Sequence, residues 1–142
     1  MKKCVYVIIL IICLCVGGFC AYQAWQIYNE DNEVELQTDK IKKDCVEKKN
    51  ENGEQILAPD WNALKAINQD IVGWIYVPDC AISYPVVQGT NNSYYLNHTI
   101  YKGYNYMGSA FLDCNTNSNF SDDNNIIYGH SVQGGGMFTL LK

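Results

Sequence analysis

The sequence predicts a mainly β domain that opens with helices and is preceded by a single transmembrane helix, and three observations carry that expectation. Residues 5 to 21 form an uncharged apolar run, residues 60 to 67 repeat apolar side chains at helical spacing, and from Ile71 onward short apolar runs alternate with turn residues. With 142 residues, 48% of them hydrophobic, the chain has material for one small domain beyond the membrane segment and not for two independent cores.

The membrane element comes first. Residues 5 to 21, VYVIILIICLCVGGFCA, carry no charge, and a spanning helix needs roughly 17 to 25 such residues. Lys2 and Lys3 precede the run, while Glu30, Asp31, Glu33 and Glu35 follow it. That bias puts the N-terminus in the cytoplasm and the rest of the chain outside. Tyr22 and Trp25 fall where an outer interface would hold aromatic rings. A cleaved signal peptide shares the basic-then-apolar pattern, but no clean small-x-small cleavage site stands near Gly18 to Ala24. Cys13, Cys15 and Cys20 also lack the small preceding residue of a lipoprotein. Residues 1 to 24 are therefore expected to be a cytoplasmic stub and uncleaved anchor of a single-pass cell-membrane protein.

Composition narrows the function classes. The formal net charge is −5, all ten basic residues are lysines, and eight of them share the region beyond residue 25 with all fifteen acids. A nucleic-acid backbone calls for a basic face, so nucleic acid is not an expected partner. Of the seven cysteines, Cys4, Cys13, Cys15 and Cys20 lie in or beside the apolar run, which leaves Cys45, Cys80 and Cys114 without regular spacing. With His98 and His130 as the only histidines there is no CxxC or HExxH pattern. Neither a disulfide framework nor a metal or other cofactor is expected.

Residues 25 to 56 are charged and thin in apolar groups. Ile27, Val34, Ile41 and Cys45 recur at spacings of seven and four, which predicts an extracellular helical stalk or linker, ended at Asn52-Gly53. Pro59-Asp60 then opens a short helix that Asp60 can cap, with Trp61, Leu64 and Ile67 on one apolar face. Strands follow at IVGWIYV (71 to 77), ended by Pro78-Asp79, and at AISYPVV (81 to 87), ended by Gln88-Gly89-Thr90. Pro85 lacks a backbone donor, which predicts an edge position or irregular pairing. GSAFLD (108 to 113) and residues 125 to 128 make a third and a fourth strand, parted by a polar loop. Gly134-Gly135-Gly136 reads as a mobile loop, since it has no phosphate-loop spacing, and residues 137 to 141 read as the first turn of a further helix. Four strands make an open sheet with free edges rather than a closed barrel.

The segments DIVGWIYVPDCAISYPVVQGTNNSYYLNHT, MGSAFLD and NNIIYGHSVQGGGMFTLL, in this order, resemble the first half of a class B sortase across residues 57 to 142. The resemblance implies a partial sortase-type β-barrel with N-terminal helices, behind a membrane anchor. It also implies a cysteine transpeptidase that cleaves a C-terminal sorting signal of the NPxTx type and joins the surface protein to a peptidoglycan amine, or to a pilin amine in some relatives. The family's catalytic histidine falls on His130, and its substrate groove on Asn92 and Leu96, with Ser93 and Tyr95 beside them. The Thr-Leu-x-Thr-Cys strand and the arginine strand have no counterpart within the 142 residues, so this chain alone is expected to be inactive.

In such an enzyme a thiolate attacks the threonine carbonyl and an amine resolves the acyl-enzyme. His130 would protonate the departing amine and deprotonate the incoming one, while an arginine would hold the oxyanion. Cys80 in the Pro78-Asp79 turn and Cys114 beside Asp113 read as incidental, and His98 reads as a loop histidine. The alternative is a membrane-tethered extracellular binding or structural protein without catalysis, whose half-barrel pairs with another chain. The Asn-x-Ser/Thr sequences at Asn91, Asn97 and Asn119 would suit a glycosylated secreted protein of that kind.

Overall fold

Helix α1 runs unbroken from Lys2 to Ile41 in the computed structural model, which describes residues 2–49, 55–78, 80, 82–131, 136–139 and 141. Forty residues at a helical rise make a rod about 60 Å long. Its first half leaves large apolar side chains exposed from Val5 to Phe19, with none of the described residues covering them. This is the one described helix long and apolar enough to cross a bilayer.

The second half of α1 does not stand clear as a bare stalk. Val34, Thr38 and Ile41 repeat every three or four residues and are buried, whereas Ile27 remains 52% exposed. A π-helical turn, Lys42–Val46, follows and buries Cys45 and Val46. Burial, helped by the nearby charges of Asp44 and then Asp60, pushes the Cys45 thiol up, so it is held as a neutral core residue. Strands β1 (Glu47–Lys49) and β2 (Gln55–Leu57) pair antiparallel, a hairpin that the loose apolar pattern does not announce. The expected break at Asn52-Gly53 lies outside the described residues. Backbone bonds from Ala58 to Val46 and from Asp60 to Cys45 then turn the chain back onto the π turn.

Asp60 caps helix α2 (Trp61–Ile67) as its spacing predicts: its carboxylate accepts from the amides of Asn62 and Ala63, both at 3.1 Å. The buried face is Leu64 with Ala63 and Ile67. Trp61 departs from the expected apolar face and is 47% exposed, because the first turn of so short a helix overhangs the edge of the core.

Strands β3 (Ile71–Val77), β4 (Ile82–Val87), β5 (Ala110–Leu112) and β6 (Ile127–Tyr128) form one open sheet in the order β3-β4-β5-β6. No closed barrel is present among the described residues. The β3–β4 pair is antiparallel with a register shift between Ile71 and Gly73, β4–β5 is parallel, and β5–β6 is antiparallel. β4 is thus an interior strand, not an edge, and every residue of it is buried. Pro85 is tolerated because β5 reaches only Val86 and Val87, so no ladder bond on that side needs a donor at Pro85.

The expected turn of helix at 137 to 141 is replaced by an isolated antiparallel bridge between Ser131 and Met137, followed by a turn at Phe138 and Thr139. Met137 is 3% exposed and its amide bonds the Tyr84 hydroxyl, so a buried contact with the sheet overrides local helix preference. Gly134-Gly135 lies outside the described residues. The core forms two clusters: Ile41, Val46, Leu64, Ile71, Tyr95 and Phe111 anchor one, and Val34, Ile82, Tyr84, Met107, Ala110 and Met137 the other. Residues of α1 therefore contribute to both.

Candidate active site

A parallel strand pair needs a crossover of a dozen or more residues, and here residues 88 to 109 supply it between β4 and β5. The crossover carries a 3₁₀ turn, Tyr94–Leu96, back across the end of the sheet where β6 finishes. Asn91 shapes its entry, its side-chain oxygen accepting from the amides of Ser93 and Tyr94 and from the Ser93 hydroxyl.

Tyr95 fastens the turn to the core. It is fully buried, and its hydroxyl donates to Asp70 Oδ2 at 2.6 Å and accepts from Asn68 Nδ2 at 2.9 Å. Asn68 also donates to the Ile100 carbonyl, and Lys102 pairs with Asp70 at 2.9 Å. The Tyr95 hydrogen bond, followed by Lys102, holds the Asp70 carboxyl below the usual carboxylate range, while burial followed by the Asp70 bond pushes the Tyr95 phenol up. A depressed folded value stabilises the fold above the unfolded value of about 3.9, and that contribution is lost as pH falls through the folded value. Thermal melts of wild type and Asp70→Asn should therefore differ above about pH 4 and converge on further acidification. A constant offset across the whole range would contradict this assignment.

Asn92 is braced from both ends of its amide. Its Nδ2 donates to Asp113 Oδ2 at 2.9 Å, and its Oδ1 accepts from the Cys114 amide at 2.8 Å. Asp113, at the end of β5, also accepts from the Tyr128 hydroxyl at 3.0 Å and from the backbone and side chain of Asn115. These bonds, the Asn115 amide first, hold its carboxyl below the usual range. One carboxylate thus ties the Asn92 loop to β6 two residues before His130.

His130 follows β6 and is half-buried, with Nε2 donating to the Leu96 carbonyl at 2.7 Å. Its own carbonyl accepts from the Phe138 amide, and Phe138 packs so closely on Gly129 that a Cβ there would lie 2.7 Å from the ring. Of the residues singled out from sequence, His130 and Leu96 are in direct contact through the Leu96 main-chain oxygen, and Leu96 is 44% exposed. Asn92 and Ser93 lie on the same loop, Ser93 on its exposed side. Tyr95 differs from them: at 0% exposure it is packed in the core, with its hydroxyl bonded to Asp70 and Asn68.

Asp113, Tyr128 and Gly108 escape sequence reasoning. Asp113 looks like a strand terminator, Tyr128 is one of eleven tyrosines, and Gly108 carries no signal apart from lying before an apolar run. A hollow of about 500 Å³ lined by Trp61, Trp74, Tyr76, Phe120 and Ile127 lies along β3, and none of the predicted site residues lines it.

No family model matches the chain. A curated sortase B of Staphylococcus aureus is 31% identical over 135 residues, 95% of this chain and 54% of that protein. The sortase B of Listeria monocytogenes is 39% identical over 93 residues, 66% of this chain and 37% of that protein. The crystal structure of sortase B from B. anthracis in complex with AAEK1 superposes with a TM-score of 0.66 at 32% identity, covering 82% of this chain and 54% of that one. The chain belongs to the class B sortase family. It spans about half the length, or less, of these sortases. Within that span the chain carries an N-terminal helix and a mixed sheet of the family's type.

Proposed function

We propose that these residues form the histidine-bearing half of a class B sortase transpeptidase. In this reading His130 transfers protons, while Asn92, Ser93 and Leu96 line the groove for a C-terminal sorting signal of the NPxTx kind. Tyr95 acts from beneath by fixing the loop. The acceptor is an amine of peptidoglycan or of a pilin. The nucleophilic thiol and the cationic oxyanion stabiliser are the family's cysteine and arginine, which these 142 residues do not contain.

The observation that supports this reading most is the 2.7 Å contact between the His130 imidazole and Leu96, a proton-transfer group beside the proposed groove, in a chain similar to sortase B over 95% of its length. The test joins this chain to the cysteine- and arginine-bearing half of a class B sortase. Cleavage of a sorting-signal peptide and its transfer to an amine, dependent on His130, is the expected result. A folded fusion without such turnover refutes it. The free edges of β3 and β6 among the described residues favour a second reading, pairing with another chain without catalysis, and that outcome would then move ahead.

The same reading puts α1 across the cell membrane with its N-terminus in the cytoplasm and the sheet outside. The uncharged run from 5 to 21, with Lys2 and Lys3 before it, supports this orientation. The protein should stay in the membrane fraction with its C-terminal region open to external protease. A mature N-terminus beyond residue 21 in the purified protein would defeat this prediction.

A further inference from the structure

Resting on the proposed role of His130, we infer that the Leu96 main-chain carbonyl selects the imidazole tautomer, so that Nδ1 is the nitrogen that exchanges protons with the substrate amines. A carbonyl oxygen only accepts, so the 2.7 Å contact places a proton on Nε2. In the neutral ring the lone pair then resides on Nδ1, and among the described residues no group is bonded to that atom. On protonation Nδ1 gains the second proton. Once the thiolate of the family's cysteine has added to the carbonyl carbon, Nδ1 gives that proton to the departing amine nitrogen as the C–N bond breaks, which leaves the thioester and the neutral ring. When the incoming amine attacks the acyl carbon, the C–N bond forms, the C–S bond to the family's cysteine breaks and releases its thiolate, and the amine's proton passes back to Nδ1. Nε2 keeps its proton on Leu96 throughout.

The carbonyl is itself held in place, and Gly108 is the residue that permits its position. Gly108 has φ +58°, and a Cβ on it would lie 2.3 Å from the Tyr95 oxygen and 2.5 Å from the Leu96 oxygen. Tyr95 O accepts from the Ser109 amide at 2.9 Å, so the strand entering β5 is clamped against the two carbonyls of the 3₁₀ turn. Any larger side chain at 108 forces a shift in this contact with the Tyr95 and Leu96 carbonyls, in which the anchor of Nε2 lies. Gly108 and the Leu96 carbonyl are positioning elements that act through His130.

The chain contains its own control. His98 is stacked on Tyr94 at 4.1 Å and directs Nδ1 to the Tyr94 carbonyl at 2.8 Å, so it should carry the opposite tautomer. The experiment is ¹⁵N histidine correlation NMR on the full chain in lipid nanodiscs at alkaline pH, where imidazoles are neutral. Expected are a protonated, slowly exchanging Nε2 with bare Nδ1 on His130, and a protonated Nδ1 with bare Nε2 on His98. The same averaged signature on both rings, or a protonated Nδ1 on His130, overturns the inference. Gly108→Ala should release the slowly exchanging His130 proton and leave the His98 pattern intact. If Gly108→Ala fails to fold, the wild-type pattern still decides. Catalysis is not read in this experiment, so its outcome is separate from that of the fusion assay.

Discussion

His130→Ala in the barrel-completed fusion is expected to lower turnover of a sorting-signal peptide by roughly 10²- to 10⁴-fold, the span general acid–base groups contribute. The loss should be chemical and not a folding defect. His130 is half-buried and among the described residues makes one side-chain hydrogen bond, to the Leu96 carbonyl, so its removal should cost about 1 kcal/mol of stability. The hydroxyls of Tyr128 and Ser93 are committed elsewhere. Tyr128 is bonded to Asp113, which pushes its phenol up, and Ser93 is bonded to Asn91 on the exposed side of the loop. Steady-state kinetics and thermal melts of the same samples check both halves of the prediction. A His130→Ala fusion that melts like wild type and retains more than about a tenth of its turnover would remove His130 from the mechanism.

Tyr95→Ala should carry the largest stability cost of any single change in the loop, about 4 kcal/mol by the scale for deleting buried aromatic rings. The ring is fully buried and packed edge-on against Tyr94 with centroids 5.0 Å apart. Its deletion leaves both a cavity and an Asp70 carboxylate without its shortest hydrogen bond. Tyr95→Phe separates the two contributions. The phenylalanine keeps the packing and loses only the hydroxyl, and Asn68 still bonds the Ile100 carbonyl, so about 1 to 2 kcal/mol is expected. Denaturant melts of the fusion measure both. Near-equal stability of wild type and Tyr95→Ala would mean that Tyr95 is a groove residue after all and not a core one.

Much of the architecture was legible from local pattern. The uncharged run, the Asp60 cap and the four apolar strand segments each follow from chemistry confined to a few neighbouring residues, and the structure contains a helix, a capped helix and strands at those places. The motif order across residues 57 to 142 pointed to the class B sortases, as the comparisons also do. His130 and Leu96 were both singled out from that order, but their contact spans 34 positions, and no local pattern reports it.

What only the tertiary structure decided are the long-range matters. Trp61 has the right spacing to face the core yet lies exposed, because helical periodicity says which residues share a face and not how far that face is covered. Pro85 reads as a residue at an edge or in irregular pairing; it lies in an interior strand beside a register shift, where the short reach of β5 spares its missing donor, and β5 begins 25 residues away. Tyr95 sits among the groove candidates by resemblance but is buried, its hydroxyl bonded to Asn68 and Asp70 in the turn between α2 and β3. Apolar periodicity, capping and turn chemistry act over a few residues and are written in sequence order. Strand order, the burial of one tyrosine among eleven and the carbonyl that holds His130 depend on which distant segments the fold brings together, and that is settled only when the chain packs.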